Sequence, residues 1–533
     1  MNAKVRNAVI IAAGKSYSFA PFSYEIPKAL FRVRGETLIE RQIRQLREAG
    51  VANIAIVIGS MREKLYFLEE KYGVTLIENS LYASRNNVYS VQLARRFLGD
   101  CFLCCCDNYY PENPFLKHGD SSHSYRQAVA KDGPDREFNC HVDAGGRIVR
   151  VTTNDETAPY SLVGYAYFTE DFAREFVSLY DVSSRGFSSD RFFWEEFVGA
   201  HLDRLDLRVK AVRPGEVLEF DSVEEVRAFD PNLIENLNSR IVDNISSTLH
   251  CDRGEITDVR TVAKGLTNVS FTFTVRGETY VYRHPGGSSS VVSNRPAEYQ
   301  AQHLAHELGI DRTLVYIHPT DGWKISRYVE GTYDFDYSDR EALKRVLRLL
   351  RKYHTSGGRI EYTYDPVAMS DRMMAMACQT DANLRTAFAG MREKIGRLYA
   401  HTQRDGVPLC PCHCDCYWPN FLISDTSLDL IDWEFAGMSD PANDFGGIVG
   451  RDERFADDAD IEDLLTAYLG RPPTPEERRH YFSFIAIDAW VYFCWSIYKA
   501  GVNEPNGFFM HSCFVQMNRF TDRMLAEYEE SRP

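Results

Sequence analysis

"LCPCHCDCYWPN", Leu409–Asn420, sets four cysteines at alternate positions around one histidine. Zinc ligands usually come as C-x2–4-C pairs, which let two sulfurs turn toward one ion. A C-x-C-x-C-x-C string in an extended segment instead lines one face with thiols. With the cysteines set aside, His413, Asp415 and Asn420 remain in the spacing H-x-D-x4-N, and twelve residues beyond Asn420 the apolar run in LDLIDWE ends at Asp432. These are the groups that phosphoryl transfer from a nucleotide requires. The first Asp accepts or orients the substrate hydroxyl, while the Asn and the strand-end Asp hold Mg2+ on the phosphates.

The segments upstream agree. SFTFTVRGETYVYRH reads as two alternating strands joined at Arg276-Gly277, preceded by a short loop, Gly265 to Asn268, that can face phosphates. Arg283 stands where a third-strand cation would reach the nucleotide, and Glu298 is spaced to pair with it from the following helix. Beyond Arg340 the pattern is mostly helical, so a small β-rich lobe precedes a larger helical one. Residues from about 240 to 533 resemble the bacterial choline kinases, of the aminoglycoside phosphotransferase and protein kinase-like fold. The resemblance runs through GLTN, YVYRHPGG, NRPAE, LLRKYHTSG, HCDCYWPNFL and LIDWEFAGMSDPANDF. It implies ATP as co-substrate, Asp415 as the catalytic Asp, and Asn420 and Asp432 as magnesium ligands. Arg283 in place of a strand lysine is usual there.

Choline's cation offers no hydrogen-bond donor, so aromatic faces and carboxylates must recognise it. Trp433 and Glu434 follow Asp432, and DAWVYFCWSIYK offers Trp490, Tyr492 and Trp495. Trp490 and Trp495 lie about 140° apart on one helix, so both are not expected in one pocket. Trp495 with Glu434 is the favoured pair; core packing of these aromatics is the rival reading.

The first ~230 residues alternate strand-like and helix-like segments: NAVIIAAG, the helical GETLIERQIRQLREAG, NIAIVIG, the helical MREKLYFLEEKYG, VTLIEN, a helix near NNVYSVQLARRFL, and CFLCCCDN. That alternation predicts a doubly wound, Rossmann-like α/β layer with ligands at the carboxyl ends of its strands. FNCHVDAGGRIVRVTT then reads as a hairpin turning at Gly145-Gly146. The glycine turn Ala12-Ala13-Gly14-Lys15 can face a nucleotide's phosphates, Lys28 in EIPKAL can neutralise them, and Asp107 and Asp221 close two strands with carboxylates suited to Mg2+. AVIIAAG, PKAL, LIERQI and IVIG resemble the sugar-phosphate and phosphocholine nucleotidyltransferases. YASRNNVYSVQLA, DNYY and FDSVEEV are nearest the phosphocholine cytidylyltransferase branch. The resemblance implies that Lys28 contacts the phosphates, that Asp107 and Asp221 hold Mg2+, and that a phosphocholine oxygen attacks the α-phosphorus of CTP. Where that family's loop reads A-A-G-x-G-S/T-R, this chain has Ser16, Tyr17 and Ser18 in the last three positions, so the arginine is replaced by Ser18. Trp194 and Glu195 in RFFWEEFV, with Tyr165, are candidates for the quaternary ammonium, against an ordinary buried aromatic face.

Composition bounds the rest. The 533 residues carry 44% apolar side chains and a net charge of −15, which speaks against a nucleic-acid partner. The thirteen cysteines include three in a row at Cys104 to Cys106, a pattern that suits a reducing, cytoplasmic setting better than a disulfide framework. The apolar core Ala8–Ala13 is closed by Gly14 and Lys15 and reads as a buried strand, not a leader. YFSFIAIDAWVYFCWSIY contains Asp488 and reads as a core helix facing a site, not a membrane span. The expected architecture is an N-terminal nucleotidyltransferase-like domain, 1–230, and a two-lobed α+β kinase-like domain, 231–533. The expected function is choline phosphorylation followed by cytidylyl transfer to phosphocholine. The same folds acting on ethanolamine, an aminophosphonate or a sugar phosphate, or a kinase with a degenerate nucleotide-binding N-terminal domain, are the alternatives.

Overall fold

A computed structural model describes residues 5–118, 121–130, 138–183, 191–262, 269–285, 293–501 and 506–530. The expected phosphate loop Gly265–Asn268, and with it Asn268, lies outside the described residues. The chain forms two compact units: Met1–Thr261 with Phe273–Arg276, and Val262–Thr272 with Gly277–Pro533.

The first unit is built on a nine-stranded mixed sheet. Its parallel part comprises β1 (Asn7–Ala12), β2 (Asn53–Ile58), β3 (Thr75–Glu78) and β4 (Cys101–Cys105), in the spatial order β4-β1-β2-β3. Because β1 is central with successive strands on either side, the loops leaving β1 and β4 open at a crevice where the winding reverses, the usual ligand position in such sheets. The strand interiors are apolar because both faces are covered: Ala8, Val9 and Ile10 are fully buried, and a side chain the size of Val9 or Ile10 contributes about 1.5–3 kcal/mol. Helix α1 (Leu38–Glu48) starts at Thr37, whose hydroxyl oxygen accepts from the Glu40 backbone N–H and donates to the Glu40 carboxylate at 2.7 Å. The antiparallel strand β9 continues the sheet beyond β4; with it, β5 is Asn108–Tyr109, β6 Ser124–Ala130, β7 Asn139–Val142, β8 Ile148–Thr152 and β9 Tyr160–Phe168. The β7–β8 hairpin turns where Gly145-Gly146 predicts, with Asp143 accepting the backbone N–H groups of Gly145 and Arg147.

Two expectations are corrected. The helix expected over MREKLYFLEEKYG is α-helical only at Phe67–Tyr72. The expected boundary at residue 230 falls too early: the segment LIENLNSRIVDNISSTLH forms two helices, Leu233–Asn236 and Arg240–Leu249, that pack with the first unit. The physical reason is a tether. Ser239, which caps the second helix, donates to Glu25 at 2.5 Å, and the Ile241 N–H donates to the same carboxylate oxygen at 3.3 Å.

In the second unit, β10 (Glu278–His284), β11 (Leu314–Ile317) and β12 (Lys324–Arg327) belong to a five-stranded sheet in which β12 pairs antiparallel with both β10 and β11, and α2 (Arg295–Glu307) follows β10. The helical part contains α3 (Arg340–His354), β13 (Cys410–Cys412), the hairpin β14 (Phe421–Ile423) and β15 (Leu428–Leu430), β16 (Gly437–Ser439), α4 (Pro441–Gly450), α5 (Pro475–Gly501) and α6 (Gly507–Glu530). Pairing of β13 with β16, Cys412 opposite Gly437, brings the two ends of the LCPCHCDCYWPN-to-DPANDF segment together. From His480 to Ser496 helix α5 is buried on every side, as an all-round apolar helix must be. No helix among the described residues is long and apolar enough to cross a membrane.

Candidate active sites

In the second unit the H-x-D-x4-N stretch leaves β13 as a loop that its own side chains hold in shape. Asp444 of α4 accepts the backbone N–H groups of His413 at 2.8 Å and Cys414 at 2.7 Å, as well as Nε2 of His354 at 2.9 Å. His413 donates through Nε2 to the Ile431 carbonyl at 2.9 Å and accepts at Nδ1 from the Asp415 N–H at 3.2 Å, which fixes its tautomer. Asn420 spends its amide hydrogens on the Asp415 carbonyl, at 2.9 Å, and on Asp415 Oδ2, at 3.0 Å, leaving the amide oxygen for another ligand. Cys414 and Asp432 both adopt left-handed backbone, φ 62° and 66°, a cost of order 1–3 kcal/mol each that clusters at functional sites.

Around Asp432 lies a buried charge network. Arg283 pairs with Glu298 at 2.5 Å and with Asp432 Oδ1 at 3.0 Å, and it donates to the Gly322 carbonyl at 2.8 Å. Sequence reasoning missed Lys324, which sits across the β10–β12 pair from Arg283 and 3.9 Å from both Asp432 and Glu298. Burial, then the neighbouring Arg283, pushes the Lys324 ammonium below its ordinary pKa, so it is the weaker cation of the two. Burial alone would raise the Asp432 pKa, but Lys324 and Arg283 outweigh it and hold the group ionised. For Asp415 burial wins over Arg451 and the pKa rises. The Ile431 N–H donates to the Asn420 carbonyl at 3.0 Å, which ties the segments of Asn420 and Asp432 together, and their amide and carboxylate oxygens form a donor set that fits a hard divalent cation such as Mg2+.

In the first unit the loops after β1 and β4 bring Lys28, Asp107 and Asp221 together. Antiparallel pairing of β5 with Leu218–Glu219 sets Glu219 opposite Asn108, so continuing the register carries the chain past Asp107 to Asp221. Lys28, 7% exposed, donates to Asp107 Oδ2 at 3.2 Å. Burial opposes its charge, but the attractions of Asp107 and Asp221 exceed that and its pKa rises. Asp107 Oδ1 is buried without a hydrogen-bond partner among the described residues, an orphaned oxygen that a divalent cation would satisfy. Ala12 and Ala13 are buried, and Ala13 accepts from the Ser60 N–H at 3.0 Å; Gly14 and Lys15 lie exposed at the crevice, with open space over Gly14. Ser18 is exposed on the same loop. A separate cavity of about 450 Å3, lined by Lys117, Lys210 and Arg213 among others, includes none of these residues.

The MobA-like NTP transferase domain profile matches residues 8–131, and that of the phosphotransferase enzyme family matches residues 258–481. A 2-aminoethylphosphonate cytidylyltransferase of Lancefieldella rimae is 32% identical over 243 residues, 45% of this chain and 97% of the relative. A choline-phosphate cytidylyltransferase of Streptococcus pneumoniae is 31% identical over 234 residues, 43% of this chain and 99% of the relative. The chain belongs to the cytidylyltransferase family. Its remainder is a phosphotransferase domain, so one polypeptide carries two enzymes. The crystal structure of choline kinase LicA from Streptococcus pneumoniae covers 54% of this chain and 98% of its own, at 23% identity and TM-score 0.45.

Several side chains assigned to substrate from the sequence lie elsewhere. In the cytidylyltransferase domain Trp194 is 1% exposed, edge-on to Phe168 at 5.6 Å and under the Arg126 guanidinium, while Glu195 pairs with that buried arginine at 3.4 Å. Tyr165 is fully buried among Phe102, Phe115 and Tyr125. In the phosphotransferase domain Trp433 is fully buried against His413, at 4.5 Å, and Tyr353, at 4.7 Å, with its indole N–H on the Leu430 carbonyl. Trp433 therefore braces the loop histidine and presents no face to a ligand. Glu434 is buried with Arg295 at 3.7 Å. Trp490 bonds Ser370 on one side of α5, whereas Trp495 lies 6.3 Å from Tyr492 and 6.0 Å from Phe509 on another, as their spacing predicts. Of the aromatic candidates on α5, Tyr492 itself donates its hydroxyl to Asp415, and Trp495 packs next to it.

The cysteines of the opening stretch are ordinary core. Cys412, Cys414 and Cys416 are buried, and burial raises their pKa values well above the free-thiol range. His354, Cys412 and Asp444 have ligand atoms within 4.8 Å of one another, but Asp444 is committed to the loop backbone and His354 to Asp444 and Tyr468. The trio is a hydrogen-bonded anchor for the loop.

Proposed function

We propose that the phosphotransferase domain moves the γ-phosphoryl of ATP to the hydroxyl of choline, and that the cytidylyltransferase domain then joins phosphocholine to CTP, releasing pyrophosphate. The observation that carries the first step is the arrangement of Asp415, Asn420 and Asp432. Asp415 presents a fixed carboxylate to the acceptor hydroxyl, and Asn420 and Asp432 aim oxygens at a metal–phosphate position. Arg283 and Lys324 reach the same place as cations for the triphosphate. Mg2+ held by Asn420 and Asp432, and in the other domain by Asp107 and Asp221, would neutralise charge on the phosphate oxygens. In the second step phosphocholine's oxygen is already ionised at neutral pH and needs no general base, so Lys28 and the glycine turn act by alignment and charge.

A second reading has its own support, because one relative is named a 2-aminoethylphosphonate cytidylyltransferase. A phosphonate carries a P–C bond, which no kinase makes from an alcohol. A phosphate ester is a kinase's product, and the presence of both enzymes in one chain favours the ester. Pyrophosphate release from CTP separates the two. Faster turnover with phosphocholine than with 2-aminoethylphosphonate or phosphoethanolamine supports the choline reading, and the reverse order overturns it.

A further inference from the structure

Asp488 is the single charge in the apolar run Tyr481–Tyr498, and the proposed reaction gives it no part. Its side chain is 1% exposed and grips Arg451 with both oxygens, Nε to Oδ2 at 2.8 Å and Nη2 to Oδ1 at 2.8 Å. The remaining Nη1 of Arg451 donates to Asp415 Oδ1 at 2.7 Å. That same oxygen accepts the hydroxyl of Tyr492, one turn beyond Asp488 on α5, and the Arg451 guanidinium carbon lies 3.3 Å over the Tyr492 ring. Small residues make the contact possible. A Cβ on Gly450 would stand 2.6 Å from the Ile485 carbonyl, and one on Gly447 would meet the Cys416 carbonyl at 2.9 Å and Arg451 at 3.3 Å.

The count of lone pairs gives this arrangement a consequence. Asp415 Oδ1 is filled by Arg451 and Tyr492, whereas Oδ2 takes only Asn420 and keeps one lone pair. A planar fork gripped from behind fixes the plane of the carboxylate it touches, which a point charge does not. Building on the phosphotransfer reading of Asp415, we propose that Arg451, aimed by Asp488, is a positioning residue that occupies one carboxylate oxygen of Asp415 and turns the other toward the acceptor hydroxyl.

The test measures kcat and the KM for ATP in the full chain carrying Asp488→Asn, Arg451→Lys or Tyr492→Phe. Misaiming Asp415 is expected to lower kcat about 10–100-fold in Asp488→Asn and Arg451→Lys, with the KM for ATP within about twofold of wild type. Tyr492→Phe, which removes one hydroxyl and keeps the ring, is expected to lose kcat by a smaller factor with the same KM. Full kcat in the folded variants overturns the proposal. So does a loss of ATP affinity in step with kcat, which would mark general loosening of the domain. If Asp488→Asn does not fold, Tyr492→Phe decides by the same kcat and KM criteria. ADP release is read with and without the amino-alcohol, so a wild type that turns over ATP only to water contradicts the substrate assignment while the variant series still decides the positioning role.

Discussion

At the scale of single residues, the proposed chemistry rests on Asp415 and Lys28. Asp415→Asn keeps the shape of the side chain and its contact with Asn420 but removes the acceptor of the substrate proton. ATP-dependent phosphorylation is expected to fall about 10²–10⁴-fold while the far-UV CD spectrum is unchanged; retained activity would remove Asp415 from its role. Ser18 stands on the exposed loop after β1, where a guanidinium could grip the triphosphate in two places and Lys15 offers only a point charge. Ser18→Arg is therefore expected to raise pyrophosphate release from CTP and phosphocholine, with a lower KM for CTP; an unchanged KM would show that the loop does not meet the phosphates. Cys414 and Cys416 flank Asp415, so an oxidised sulfur at either position would crowd the carboxylate. Both are buried with raised thiol pKa values, so mild peroxide is expected to leave kinase activity intact. His413, Asp415, Asn420 and Asp432 were legible because a single loop and hairpin set their spacing. Arg451 and Lys324 were not, and Tyr492 read only as an aromatic face, because their contacts come from elements far along the chain: Arg451 and Tyr492 meet Asp415 from 36 and 77 positions away.

At the scale of elements, the strands and helices were legible wherever one period dominated, as in β1 and α1. The direction of aromatic side chains was not. Sequence pattern tells which residues leave solvent, but a core and a ligand pocket are both apolar, so Trp194, at the start of a helix, and Trp433, in the loop after Asp432, read equally well as either. His480, near the start of α5, shows a further tertiary effect. Its ring nitrogens lie 2.8 Å from Asp405 and 3.0 Å from Asp440, the residue that caps α4. Burial works against its charge, yet the two carboxylates raise its pKa to about 9. A folded-state pKa above the unfolded one stabilises fully below the unfolded value near 6.5 and is lost as pH rises toward 9. Thermal unfolding is thus expected to show a stability loss of up to about 3 kcal/mol over that window, absent in His480→Gln. A wild-type profile that is flat across the window would mean the imidazole is neutral in the fold.

At the scale of the whole molecule, two domain types were legible because each motif set sits within one half. Their boundary was not, since the tether of Ser239 and Ile241 to Glu25 joins positions more than 200 residues apart. Two active sites in series imply a clean separation of defects. With choline, ATP, CTP and Mg2+ supplied together, the wild-type chain is expected to form CDP-choline. Lys28→Met is expected to accumulate phosphocholine. Asp415→Asn is expected to form no product from choline, yet still convert added phosphocholine to CDP-choline. If the wild type makes no CDP-choline from choline, or Asp415→Asn makes it as fast as the wild type, the two-step account is wrong.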